Sequence, residues 1–494
     1  MQSSSTNLNT NFFRLQTGIT YSFSKNWVGT KLWIEDNQQT NKATQQLTLN
    51  SQRFSSHEVY TGMGDSTKIF VELGYRYRIN DSVQNAKLQK ISTSNTYFLK
   101  SKLLNTNTSQ LSLFVNYRNL NNEDDTREDE QTLNSRILYN QQFFDRKVLW
   151  NTVYETNSGT LPQQEFSYVQ VDPGEGNYTW NDYNSNGIQE LEEFEVAQFQ
   201  DQATYLRVLL PNQVFIKTHQ NKLSQTLTLN LQPWAVVKNK TKKFFSHFYN
   251  QTSYLIDRKI RRDTDDFELN PFASSDKELA LNLNFRNTIF YNRGKQRYTT
   301  SYTYLSTKNT AFLVTGLQET IKLDHQFNFQ HKFGESWLVE MRGVLNNTES
   351  IAENFANRNF LVEGYQGEPK LSYLLSEQTR FSLFYLYNTQ ENVLSNLESL
   401  AQQKIGVSFS YANKQQISLT TEFNAFINDF EGNAFSPVGY QLLNGLQPGT
   451  NYTWSLLAQK KLTKYLDLNL TYQGRKSETS TTIHTGNVQL RAYF

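Results

Sequence analysis

Residues 182–193 read Asp-Tyr-Asn-Ser-Asn-Gly-Ile-Gln-Glu-Leu-Glu-Glu, and they match the calcium-loop pattern D-x-[DN]-x-[DN]-G-x5-E at every specified position. Calcium chemistry needs oxygens converging from positions 1, 3 and 5, which Asp182, Asn184 and Asn186 supply. Gly187 at position 6 permits the sharp turn, the carbonyl of Ile188 serves at position 7, and Glu193 closes the site in bidentate fashion at position 12. Glu190 stands at position 9, which often acts through a water. Of these ligands only Asp182, Glu190 and Glu193 are charged, so the expected affinity is of the extracellular grade, about 10⁻⁴–10⁻³ M. The expected role of Ca2+ is structural, a clamp on an excursion of the chain. The alternative is an Asx-rich turn before a capped helix, because Asn, Asp and Gly make turns without metal.

The rest of the chain offers little chemistry. It has no cysteine, which removes disulfides, zinc fingers, iron–sulfur clusters and thiol nucleophiles. Gly62-Met63-Gly64 is too short for a dinucleotide fingerprint, and no nucleophile elbow or phosphate loop appears. The six histidines (His57, His219, His247, His325, His331, His484) lie singly, without metal-ligand spacing. No catalytic residue is assigned, and the chain reads as non-enzymatic. Basic and acidic residues number 48 and 46, so no charge excess points to nucleic acid. The acidic run Glu123–Glu130 reads as a solvated loop tip in preference to a cation site. Arg258, Lys259, Arg261 and Arg262 border a long loop and either meet lipopolysaccharide phosphates or are solvated. Lys238, Lys240, Lys242 and Lys243 fall on a connection expected at the periplasmic end.

These residues sit on a chain that alternates with period two. Leu279, Leu281, Leu283, Phe285 and Ile289 share one face, against Ala280, Asn282, Asn284, Arg286 and Thr288. Residues 111–118, 417–427 and 466–472 repeat the pattern, which is that of strands and not of helices. Most such segments run about 10 to 16 residues, beyond the usual five or six of globular strands. A tilted strand needs roughly 9–11 residues to cross a bilayer core, and an apolar-out, polar-in dyad of that length marks a transmembrane β-barrel. Mean hydropathy of -0.65 beside 34 Phe and 28 Tyr then has an explanation: half of each strand faces water, and aromatic residues girdle the membrane. The expected fold is all-β, an antiparallel transmembrane barrel of about 22 or more strands with long extracellular loops. Leu281 is expected at mid-membrane depth, facing lipid.

Turn residues alternate between short and long connections, the short ones near Ser24-Lys25, Asn105-Thr106, Asp145-Arg146, Asn292-Arg293-Gly294, Gly334-Glu335, Ser376-Glu377, Asn413-Lys414 and Thr463-Lys464. The long ones include residues 81–88, 257–277, 307–316 and 159–212. Twenty-one strands are counted, the first over about residues 12–23. Bacterial barrels have even strand numbers, so an ascending strand is expected before this one. Residues 1–11 lack the regions of a signal peptide, which together suggests the carboxyl-terminal part of a longer protein. Three segments follow: residues 1–158 as a first barrel part of about 8 strands, 159–212 as the calcium-bearing excursion, and 213–494 as the remaining barrel. Within the excursion, residues 166–171 and 177–180 are expected to form a hairpin and 189–200 a short acidic helix.

The last strand, 485–494, places Gly486, Val488, Leu490, Ala492 and Phe494 on one face. A terminal strand closing on an aromatic resembles the membrane-targeting signal of Gram-negative outer-membrane barrels. The loop at 182–193 resembles isolated calcium loops of the dockerin kind. Gly439-Tyr440, Gly445, Gly474-Arg475 and His484-Thr-Gly486 are similar to large outer-membrane proteins of the Bacteroidota, as are Phe194, Gln198, Asp201 and Leu210–Val214. That resemblance runs over residues 150–494. It implies an outer-membrane location and a large porin-like barrel with a longer N-terminal part, and it supplies no functional residues. The expected function is a transport channel or receptor; the alternative is a subunit for secretion, surface display or envelope assembly. Expected partners are outer-membrane lipid, lipopolysaccharide, the assembly machinery and other envelope proteins.

Overall fold

The computed structural model describes the chain except for residues 1, 5–6, 125–127, 264–265, 274, 296, 314–315, 395–397, 414–415 and 494, and the side chains of 2–4, 163–164 and 212–214. Among the described residues there are 24 strands, of which Gln2–Ser4, Tyr178–Trp180 and Phe194–Val196 have three residues each. The 21 that remain run from 10 residues (Ile483–Ala492) to 26 (Tyr205–Asn230), and match the number counted from the turns. Successive long strands pair antiparallel, as Leu8–Phe23 does with Asn26–Asn41 and Leu466–Ser477 with Ile483–Ala492. Among the described residues no helix is long and apolar enough to cross a membrane. The fold is all-β, an antiparallel sheet of the transmembrane-barrel class.

Two compact units divide the chain. The second (residues 162–214, 228–253 and 280–494) shows where lipid meets the strands. Trp337, Tyr373, Phe381 and Phe409 stand side by side on one face of four consecutive strands. The next row on that face is Val339, Leu371, Leu383, Val407 and Phe423, and further along Ile405 lies between Tyr385 and Ala425. The apolar rows end at Asn347, Glu363, Glu391, Ser399 and Glu431. Phe409 and Ser399 are ten residues apart, the length a tilted strand needs to cross a bilayer core, roughly 9–11 residues. On the opposite face Ser372 and Ser382 bond each other at 2.8 Å, and Gln402 donates to Asn428 at 2.9 Å.

Leu281 keeps its expected face but not its expected depth. Its cross-strand partner is Thr310, which bonds Glu319, and the next pair on that face is Leu283 with Lys308. Lys308 in turn pairs with Glu319 at 2.9 Å. A facing ion pair places this end of the strand above the hydrocarbon, and Ile289, opposite Tyr302, marks the lipid band instead.

Several connections are also shorter than expected. Strands Phe70–Gln84 and Lys87–Asn105 leave only Asn85 and Ala86, both at positive φ, in the tight turn that right-twisted hairpins favour. Strands Tyr298–Leu313 and Gly316–Phe333 leave residues 314–315, which lie outside the described residues, as does Lys414. Conversely, residues 231–247 form a long connection with a helix at Lys240–Phe245, capped by the Asn239 side chain.

The first unit (residues 1–161, 215–227 and 254–279) has the same two faces. On the polar one, Glu58 pairs with Lys31 at 3.1 Å and with Arg76, and Glu72 accepts from Trp27 at 3.1 Å. Phe98 lies flat over Gly74, where any Cβ would strike its ring. Residues 266–270 fold down onto strand ends: Phe267 meets the rings of Tyr117 and His219, and the Asn221 side chain donates to the Glu268 carbonyl. Arg258 and Arg262 are buried beneath them, Arg258 paired with Glu278 at 3.1 Å. Neither is the solvated or phosphate-facing residue that its position beside a loop suggested.

Candidate functional site

The excursion is narrower and more ordered than its sequence suggested. Strands Val148–Gln170 and Tyr205–Asn230 extend into it, leaving residues 171–204. The expected hairpin does not form. Tyr178–Trp180 pairs with Phe194–Val196, and Gly176 and Asn177 bond Ala203 and Tyr205. Gly176 comes so close to Tyr205 that a Cβ would lie 2.6 Å from its backbone nitrogen. The expected helix at 189–200 is reduced to a 3-10 turn at Leu191–Glu193, because pairing with 178–180 outweighs a short isolated helix. The Tyr168 ring stacks on Phe194 at 3.9 Å, and Phe194 meets Tyr205 edge-on at 5.0 Å, giving the excursion its own small core.

On this platform the 182–193 loop closes upon itself. The two carboxylate oxygens of Asp182 accept from the amides of Asn186 (3.1 Å) and Gly187 (2.9 Å). The Asn184 side-chain oxygen accepts from the Asn186 amide at 3.0 Å, and the Asn186 side chain from the Ile188 amide at 2.6 Å. Ser185 and Gly187 are at positive φ. Asn184 also donates to Glu190 at 2.7 Å. Glu193 is 1% exposed; its Oε2 accepts from Trp180 Nε1 at 2.8 Å and from the Glu190 amide at 3.4 Å. Its Oε1 is buried with no hydrogen-bond partner. Among the described residues no three His, Asp or Glu side chains gather as a metal cage, and the loop's donors are a mixture of carboxylate, amide and carbonyl oxygens.

Glu193 lies between the residues that fasten the excursion to the rest of the second unit. Arg358 donates through Nη1 to the Glu192 carbonyl and through Nη2 to Glu195 at 2.9 Å. Burial pushes the Glu195 carboxyl above its usual range, against the pull of Arg358 and a hydrogen bond from Tyr183. Burial also raises the Tyr183 phenol. Further along, the Gln198 amide donates to the Tyr440 hydroxyl at 3.4 Å, and Arg475 pairs with Asp201 while lying 4.3 Å over the Phe199 ring. Gly445, at φ +71°, packs against Gln198 and Phe199. Residues from the two separated stretches that carry the resemblance thus touch one another. Arg358 and Trp180 carried no sequence signal. Below residues 198–201 a cavity of about 370 Å³ opens on the polar strand face, lined by Lys404, Asn424, Phe426 and Gln473 together with Asp201 and Arg475.

Gly486, Val488, Leu490 and Ala492, expected to form a targeting strand, lie on Ile483–Ala492, paired with Leu466–Ser477. Val488 pairs with Leu470 and Leu490 with Leu468 on the apolar face, which Gly486 and Ala492 share. Phe494 lies outside the described residues, as do Asp125, Thr126 and Arg127 of the acidic run. Four histidines bond single neighbours: His219 to Ser158, His247 to Asn292, His325 to Tyr302 and His484 to Tyr472. His331 stacks on Phe333.

No protein-family model and no curated protein matches the chain. Solved structures similar to it include the FrpB iron transporter from Neisseria meningitidis (8% identity, TM-score 0.39, covering 98% of this chain and 80% of that one). Another is the siderophore receptor PirA from Pseudomonas aeruginosa (9%, 0.37, covering 100% and 78%). A third is OccK11 from Pseudomonas aeruginosa (10%, 0.34, covering 89% and 95%).

Proposed function

We propose that the chain is the wall and folded-in outer loops of an outer-membrane transport channel or receptor for polar solutes, acting by binding and passage without chemical conversion. The supporting observation is the cavity beneath the excursion. It opens on the polar face of the same strands whose other face is apolar over membrane depth, so it borders a water-filled passage. Arg475 is its strongest recognition group, a planar fork suited to carboxylate or phosphate and occupied by Asp201. A solute anion that replaces Asp201 frees residues 198–201 to move aside, which couples binding to opening. Outer-leaflet lipid meets the apolar rows of this Bacteroidota-type barrel, and the assembly machinery reads the last strand.

The test is planar-bilayer conductance of the full protein, beside the Arg475→Ala variant. Conductance should be present and should rise in the variant, because the excursion loses its hold. A protein that inserts but neither conducts nor binds solutes, and that copurifies with envelope proteins in fixed ratio, would replace this reading with that of a machinery subunit.

A further inference from the structure

We infer that the loop Asp182–Glu193 is a Ca2+ site whose occupancy sets the docking of the excursion onto Arg358. Two independent observations meet there. One is the spacing of oxygen donors at positions 1, 3, 5, 7, 9 and 12, already folded so that Asp182 is held by the Asn186 and Gly187 amides. The other is Glu193, almost fully buried, with one carboxylate oxygen anchored by Trp180 and the other without any partner. A buried, unpaired carboxylate oxygen is costly, and a cation at the loop centre is the partner that relieves it.

The metal's reach follows from chain order. Glu193 stands directly after Glu192, whose carbonyl receives Arg358, and two residues before Glu195, whose carboxylate does. Fixing Glu193 at the metal therefore fixes both halves of the Arg358 grip. Phe194, between them, carries the stack on Tyr168 into the excursion core. Without metal, the buried Glu193 oxygen keeps no partner and the grip loosens. The inference is independent of whether the barrel transports anything.

Trp180 offers a direct readout, because its indole touches the Glu193 carboxylate and will sensitise terbium bound in the loop. Terbium added to the full protein in detergent should give saturable tryptophan-excited luminescence, displaced by Ca2+ at about 10⁻⁴–10⁻³ M. Glu193→Gln and Asp182→Asn should lose it; Glu175→Gln should keep it. Trp180→Phe should lose the luminescence yet keep Ca2+-dependent protection of residues 171–204 from protease. That protection should disappear with chelator in the unaltered protein. Luminescence that survives in both Glu193→Gln and Asp182→Asn would overturn the site. Protection indifferent to chelator while terbium binds would overturn the coupling to Arg358.

Discussion

Arg358 and Glu195 lie 163 residues apart in the chain and meet at 2.9 Å, the guanidinium one-fifth exposed and the carboxylate nearly buried. The pair fastens residues 171–204 to the short connection between strands Trp337–Ala352 and Phe360–Leu374. Arg358→Ala leaves Glu195 buried with only the Tyr183 hydrogen bond and no counter-charge, a loss of roughly 2–4 kcal/mol allowing for the partial exposure of the arginine. The protein escapes that cost by releasing the excursion. Hydrogen exchange at the Thr179 and Glu195 amides should therefore quicken by at least about tenfold, with global unfolding unchanged. Arg358→Lys should rescue only in part, since one ammonium cannot reproduce a fork that grips both a carbonyl and a carboxylate. Unchanged exchange in Arg358→Ala would remove this contact as the fastening.

The same pair makes docking pH-dependent. Burial, the leading cause, holds the Glu195 carboxyl above its ordinary 4.5, so the docked state binds its proton more tightly than the released one. The Glu195 contribution is fully present below that ordinary value and is lost as pH rises through the raised one. With calcium chelated, exchange protection of residues 178–196 should strengthen as pH falls from neutrality towards that ordinary value, after correction for intrinsic rates. Glu195→Gln should flatten the slope. A slope of opposite sign would mean that the Arg358 pairing outweighs burial.

Alternation identified the strands and their faces because membrane and water impose opposite demands on neighbouring residues. It failed where those demands end. Residues 347–350, Asn-Thr-Glu-Ser, are polar on both faces as a loop would be, yet the strand continues to Ala352 through backbone pairing, with the Asn347 side chain donating across to Glu363 at 3.0 Å. Leu281 was placed too deep for the same reason, since an apolar side chain above the lipid reads like one within it. The calcium-type spacing was legible because it is local. The Arg358 and Arg475 contacts were not, because each joins segments far apart in the chain through side chains whose types are common on any surface.

The height of the lipid band can be tested on one strand face. Ile405 is 54% exposed, midway between the aromatic row at Phe409 and the polar row at Ser399. Ile405→Arg should cost about 2–4 kcal/mol in a reversible unfolding measurement in lipid, falling to about 0–1 kcal/mol for Ser399→Arg at the interface. Equal costs at the two positions would mean that the band has been set at the wrong height.

The polar face of the first unit gives a test of passage that does not involve the excursion. Glu58 is 4% exposed and neutralises two cations at once, accepting from Lys31 at 3.1 Å and from Arg76 Nε at 2.8 Å. Glu58→Gln removes one negative charge from that face and leaves both cations in place. Charged side chains lining a pore set which ions enter it, so the reversal potential under a salt gradient should move toward anion preference. Adding Lys31→Gln should return it most of the way, because the net charge of the cluster is then restored. The shift should shrink at high ionic strength, where screening acts within about 3 Å at 1 M salt. A reversal potential indifferent to Glu58→Gln, in a channel that still conducts, would place the permeation path away from this face.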